Sequence, residues 1–179
     1  MMVFRSFQTV LLLLLLSSLF VIASETNEKQ IATKRSGYWT YYCKNYEKER
    51  QCKIVRKINI KEQNETFLII YKIIKDINPK VKESLDIMTP PATRVNIKKR
   101  LKITFDDKTK FTRSFLECEE TGCLAVFKGN RMLKYSMKNF NKIKIIFHGF
   151  EDEEPISLTL PMDGFTQALD DIDRQLKSF

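Results

Sequence analysis

An all-β domain, an antiparallel β sandwich of about nine short strands with a C-terminal amphipathic helix, is predicted by three features of this chain. Short runs of β-branched and aromatic residues recur along it, each bounded by polar, glycine or proline punctuation. Two cysteine pairs, Cys43 with Cys52 and Cys118 with Cys123, flank charged tips as the arms of hairpins do. Only from Gly164 onward does the period change. There Phe165, Ala168, Leu169, Ile172 and Leu176 make one apolar stripe at helical spacing.

The chain opens with a targeting pattern. Arg5 supplies a positive start, Val10 to Ile22 is apolar apart from Ser17 and Ser18, and Val21 with Ala23 forms a small-residue cleavage pattern. As a helix this core spans about 20 Å, short against about 30 Å of hydrocarbon. A signal peptide over 1–23 is predicted, cleaved after Ala23 and leaving no transmembrane span. An uncleaved anchor is the alternative, and it too holds the domain outside the cytoplasm. Residues 24–36 are polar and aperiodic, a flexible leader, and residues 37–179 form the domain.

Within that domain Gly37 opens an aromatic strand, Tyr38 to Cys43. Lys44 to Arg50 reads as a turn, and Cys52 to Ile58 as the return strand. Trp39, the one tryptophan, is expected to anchor the core. Phe67 to Ile74 is the strongest apolar run of the mature chain and predicts a central strand covered on both faces. Asn64-Glu65-Thr66 is a formal glycosylation acceptor, taken as a chance match. Ile77 to Ala92 is less regular and ends at Pro90-Pro91. Thr93 to Ile97 and Leu101 to Phe105 read as strands around Lys98-Lys99-Arg100, and Asp106-Asp107-Lys108 as the next turn. Phe111 to Leu116 leads into the hairpin over Phe115 to Phe127, whose tip carries Glu119, Glu120 and Gly122. Met132 to Asn139 suggests a short helical turn. Lys142 to Phe147 alternates as a strand, Glu151 to Glu154 is an acidic loop, and Ile156 to Leu160 is the last strand before Pro161. Asp163 is the expected N-cap of the final helix, with Lys177 in its last turn.

Catalytic and cofactor chemistry find little support. His148 is the only histidine, which excludes a site built on several, and no Ser or Cys with a recognisable nucleophile motif accompanies it. Five glycines occur, none at phosphate-loop or dinucleotide spacing, so no nucleotide cofactor is expected. Glu117, Glu119 and Glu120 and the group Glu151 to Glu154 lack calcium-loop spacing and read as solvated carboxylates. The four cysteines suit two structural disulfides in an exported chain. Local pairing fits the hairpins, although three connectivities are open. Zinc is disfavoured by the Cys-x8-Cys and Cys-x4-Cys spacings. Redox chemistry is disfavoured by glutamates that oppose thiolate formation. No enzyme, metal or cofactor is therefore expected.

Loss of residues 1–23 removes Arg5 and leaves 30 basic and 22 acidic side chains, a net charge of +8. Lys98, Lys99, Arg100 and Lys102 form the densest basic segment. They are a solvated turn or a patch for anionic glycan or lipid, with Lys108, Lys110 and Arg113 nearby. No aromatic-interleaved motif points to nucleic acid. A lysine-rich, AT-biased composition is the plainer source of the charge.

The order of these segments resembles the invasion-associated locus B (IalB) family of alphaproteobacteria. The matching pieces are Trp39-x3-Cys43, Arg50-Gln51-Cys52 and Phe115-x2-Cys118-x3-Gly122-Cys123-x-Ala125. They continue with Ile156 to Leu160 and Gly164-Phe165-x2-Ala168-Leu169. Where relatives carry a glycine-rich segment before the Phe-x-x-Cys strand, this chain has Pro90-Pro91 and a lysine-rich turn. The resemblance implies an exported, non-enzymatic envelope protein, periplasmic or surface-associated in a Gram-negative bacterium. It would act on an envelope or host protein, or on the anionic envelope surface, and support host-cell invasion.

Overall fold

The computed structural model describes residues 33–60, 65–76, 81–89, 95–120, 122–149 and 154–178. The signal peptide, most of the leader, Asn64 of the acceptor, Pro90-Pro91 and residues 151–153 of the acidic loop lie outside them. Two antiparallel sheets stack face to face. The larger runs in the order β1 (Lys34–Ser36), β2 (Trp39–Asn45), β3 (Glu49–Ile60), β4 (Glu65–Asp76), β5 (Val81–Met88), β9 (Gly122–Lys128) and β8 (Glu117–Glu119). The smaller runs β11 (Pro155–Pro161), β10 (Lys142–His148), β6 (Leu101–Phe105) and β7 (Thr109–Arg113). Helix α1 (Arg131–Asn139) joins the two sheets, and α2 (Phe165–Lys177) closes the chain.

The core is the shared inner face. Phe67 of β4 stacks on Phe147 of β10 with ring centres 6.0 Å apart, which joins the sheets. Beside that contact α2 completes the second layer. Its Phe165 meets Trp39 edge-on at 5.1 Å and Tyr71 at 5.5 Å. Trp39 is fully buried, as expected of a core anchor, and its indole N–H is left without a hydrogen-bond partner. Five buried side chains hold α2: Phe165, Ala168, Leu169, Ile172 and Leu176. Each larger one contributes roughly 1.5–3 kcal/mol on burial, so the stripe outweighs any single cap at about 1 kcal/mol.

The cap itself differs from expectation. Gly164, in the left-handed region at φ 86°, takes the N-cap position instead of Asp163, and no side chain caps the helix. A side chain at 164 cannot fit, because the β1–β2 turn crosses there. Asp163 serves through its backbone carbonyl, which accepts the Tyr38 amide at 3.4 Å. At the other end two cations from the large sheet satisfy orphan carbonyls of α2. Arg50 donates to Gln175 O, and Lys75 Nζ donates to Leu176 O at 2.6 Å. Both complement the negative end of the helix dipole.

The strand β4 is the middle strand of seven, as its composition indicates, but only one of its faces is fully covered. Phe67, Ile69, Tyr71 and Ile73 are buried, while Leu68, Ile70, Lys72 and Ile74 on the outer face are half-buried. An antiparallel sheet can leave one face to solvent even where the sequence is apolar on both. Four other segments differ. Lys34 to Ser36, assigned to the leader, forms the edge strand β1 paired with β2. The turn read as Lys44 to Arg50 shrinks to Tyr46-Glu47-Lys48, because cross-strand pairing carries both polar arms to Asn45 and Glu49. The irregular stretch before the prolines contains the eight-residue strand β5, ordered by β4 on one side and β9 on the other. Of the expected strand Thr93 to Ile97, the described part is a single bridge from Val95 to Gly149 followed by a turn.

The turn at Asp106-Asp107-Lys108 is as expected. Asp106 and Asp107 have φ of 44° and 57°, a region Asp tolerates, and Lys108 N returns to Phe105 O at 2.9 Å. Helix α1 is longer than a single turn. Asn130 caps it by accepting Leu133 N at 2.8 Å, and Leu133 and Met137 bury its inner face.

Candidate functional site

Strand pairing sets the cysteines opposite one another. The β2–β3 ladder places Cys43 across from Cys52, and the β8–β9 ladder places Cys118 across from Cys123. Both local disulfides form and no cysteine is free. The first lies in the core. The second sits at the sheet edge, with Cys118 exposed and Cys123 buried. Thr89 ties that hairpin to the end of β5: its Oγ1 accepts Cys123 N at 3.0 Å, and its amide donates to Cys123 O at 3.1 Å. With every sulfur in a disulfide, the cysteines present neither a thiolate nucleophile nor a metal ligand. Glu117, Glu119 and Glu120 stand exposed around the tip.

His148 ends β10 on the open face of the small sheet. Its Nδ1 lies 3.4 Å from Lys99 Nζ, an exposed contact, and that is its side-chain hydrogen-bond partner among the described residues. Among those residues no three of His, Cys, Asp and Glu converge on a point. No described helix is long and apolar enough to cross a membrane.

The basic segment divides in two. Lys98, Lys99 and Arg100 are exposed in the turn before β6, whereas Lys102 lies within β6 and points to the open face of the small sheet. Alternation on β6 sends Leu101, Ile103 and Phe105 inward and Lys102 and Thr104 outward. Register then gathers further lysines around Thr104. Lys144 of β10 pairs with it on one side and Lys110 of β7 on the other. Lys102 lies two positions before Thr104 on β6, so the three ammonium groups come from three adjacent strands. The Lys102 ammonium is held below the usual lysine range, first by a hydrogen-bonding contact with Lys110 and then by the charges of Lys110 and Lys144. Thr112, Ser157 and Thr159 share this face through the same registers.

Sequence reasoning named Lys102 and mentioned Lys110 but missed Lys144 and Thr104. The signal for Lys144 was present in the alternating Lys142-Ile143-Lys144-Ile145, which puts both lysines on one solvent face. The pairing of β10 with β6, neighbours in the sheet but far apart in sequence, carried no local signal.

Cavities also open elsewhere among the described residues. One of about 500 Å³ opens on the outer face of the large sheet, between Arg35 and Lys57 and beside Tyr38 and Tyr42. Another of about 350 Å³ lies where β4 and β5 meet α1 and α2. Of its lining, Glu83 is paired with Lys134 at 2.8 Å and accepts from Tyr71 at 2.8 Å.

A family profile described as "Invasion associated locus B (IalB) protein" matches residues 39–173, nearly the whole described chain. Among solved structures, the chain is similar to the crystal structure of invasion associated protein B from Bartonella henselae. That match has a TM-score of 0.67 at 17% identity, over 82% of this chain and 99% of the other. At that identity the likeness speaks for the fold. A comparison with curated proteins finds no match. The profile spans both disulfides, every strand but β1 and most of α2, and this chain belongs to the invasion associated locus B family.

Proposed function

We propose that this chain is an exported, non-enzymatic envelope protein, periplasmic or surface-associated in a Gram-negative bacterium, acting through contacts with envelope or host proteins. The observation that carries the reading is the consumption of all four cysteines in two hairpin disulfides. Such bonds persist in oxidising compartments and are reduced in the cytosol. The apolar segment before Ala23 supplies the export signal. The Bartonella relative is named for invasion, and support of host-cell entry is the role carried over to this chain. Affinity capture from intact envelopes tests it. A specific protein partner retained by the His148→Ala variant is the expected result. Loss of function on that one substitution would point to an enzyme instead.

A second reading, a binding module for anionic glycan or lipid, is favoured by the exposure of Lys98, Lys99 and Arg100 beside Lys102. It predicts binding that weakens with salt and with charge reversal at these positions. Binding indifferent to both would overturn it.

A further inference from the structure

The open face of the small sheet has an unusual centre. Thr104 is an outward-facing residue, yet it is only 9% exposed, and its hydroxyl oxygen is shut from solvent without a hydrogen-bond partner. Lys144 and Lys110 pair with it on the strands to either side, and long basic side chains cover the surface beside them. A buried hydroxyl left unbonded is costly, by about 1–3 kcal/mol, so natural folds seldom keep one idle. Around it the ammonium groups of Lys102, Lys110 and Lys144 gather without an acidic partner among the described residues. Asp106, at the adjoining turn, is occupied by the backbone amides of Asn141 and Lys142 at 3.0 and 2.8 Å.

We propose that Lys102, Lys110 and Lys144, with the Thr104 hydroxyl beneath them, form a binding site for a phosphate group carried as a monoester or free anion. The chemistry selects the class. Three ammonium groups and one hydroxyl offer more donors and more positive charge than a carboxylate, with two oxygens and one charge, can use. A phosphate dianion has oxygens for all four and relieves the repulsion among the lysines. Facing strands set the spacing. Lys110 and Lys144 flank Thr104 at neighbouring-strand distance, about 5 Å each, and Lys102 lies about 7 Å along its own strand. Four-carbon stems bring ammonium groups at those distances together on one anion. The site deepens the anion-binding reading and moves it from the Lys98–Arg100 turn onto the sheet. Its test uses purified protein, so its failure would leave the export reading standing.

Inorganic phosphate is titrated into the mature domain at constant ionic strength, with lysine and threonine NMR signals followed. A parallel flotation assay uses phosphatidylcholine vesicles with and without phosphatidic acid. Saturable shifts centred on Lys102, Lys110, Lys144 and Thr104 are expected, with the Lys102 pKa rising on binding. Lys102→Gln, Lys110→Gln and Lys144→Gln should each weaken binding about tenfold, roughly the loss of one charge-assisted contact. Thr104→Val should weaken it several-fold, and Lys82→Gln on the large sheet should leave it unchanged. Phosphate binding without vesicle capture assigns a soluble ligand. Capture by phosphatidic acid vesicles that Lys102→Gln abolishes assigns a lipid headgroup. Absence of both phosphate saturation and vesicle capture, or equal weakening by Lys82→Gln, overturns the site.

Discussion

The backbones of Gly37 and Gly164 cross so closely that neither residue has room for a side chain. A Cβ on Gly164 would stand 2.1 Å from Ser36 O, and one on Gly37 would stand 2.4 Å from Asp163 O. Both glycines have positive φ, 54° and 86°, so side chains are excluded by backbone conformation as well as by space. The crossing pins the β1–β2 turn to the N-cap of α2 and lets Phe165 reach Trp39 and Tyr71.

Gly164→Ala should therefore lower stability by about 3 kcal/mol, combining left-handed strain with the clash. Urea unfolding measures it. The midpoint should fall without a change in slope, whereas a loss below about 0.5 kcal/mol would mean the backbones separate without cost.

The two disulfides should differ in weight. Both close short loops worth about 2–3 kcal/mol in the chain-entropy model. Cys43 and Cys52 are fully buried, however, while Cys118 is exposed. Replacing the first pair by alanine also leaves a core defect, so it should cost more than replacing the second. Thermal unfolding under non-reducing conditions ranks them. Full stability in the Cys118→Ala/Cys123→Ala chain would remove the structural role of that hairpin bond.

Arg50 holds the end of α2 from the large sheet. Its guanidinium also donates to Asn45 at 2.6 Å, and burial lowers its pKa from the ordinary arginine value. Arg50→Met should cost roughly 1.5–3 kcal/mol, the range for hydrogen bonds to a charged group. Hydrogen exchange should quicken in the last turn of α2 and stay slow at Ala168 and Leu169. Uniform loosening of the whole helix would contradict the local role.

Tyr71 should give the fold an alkaline limit. Burial, then the charge and hydrogen bond of Glu83, raise its phenol well above the usual tyrosine pKa. The folded state thus binds this proton more tightly than the unfolded chain does. The stability it contributes is complete below about pH 10, the unfolded value. It is lost as pH rises from there toward the folded value. Tyr71→Phe loses the Glu83 bond, about 1 kcal/mol near neutrality. The gap between wild type and variant should shrink and reverse above pH 10, and a gap constant with pH would contradict the shift.

The fold was legible where the signal is local. A continuous apolar, β-branched run placed Phe67 to Ile74 at the sheet centre, and the 3.6-residue spacing from Phe165 found α2. Cysteines on either side of short polar tips pointed to local pairing, which the register then fixed. Less legible were features decided by distant partners. Lys34 to Ser36 is a strand only because β2 lies beside it, and Gly164 displaces Asp163 as the cap only because Ser36 crosses there. The candidate anion site follows the same rule. Lys102 was visible as charge, but its union with Lys144 depends on a pairing between β6 and β10 that spans both α1 and the edge hairpin.

Export with complete oxidation is tested most directly by the intact mass of the native chain, recovered from cells after thiol alkylation. A chain that begins at Ser24, with all four cysteines unalkylated in two disulfides, is the predicted result. A chain that still carries residues 1–23 and bears alkylated cysteines would contradict it.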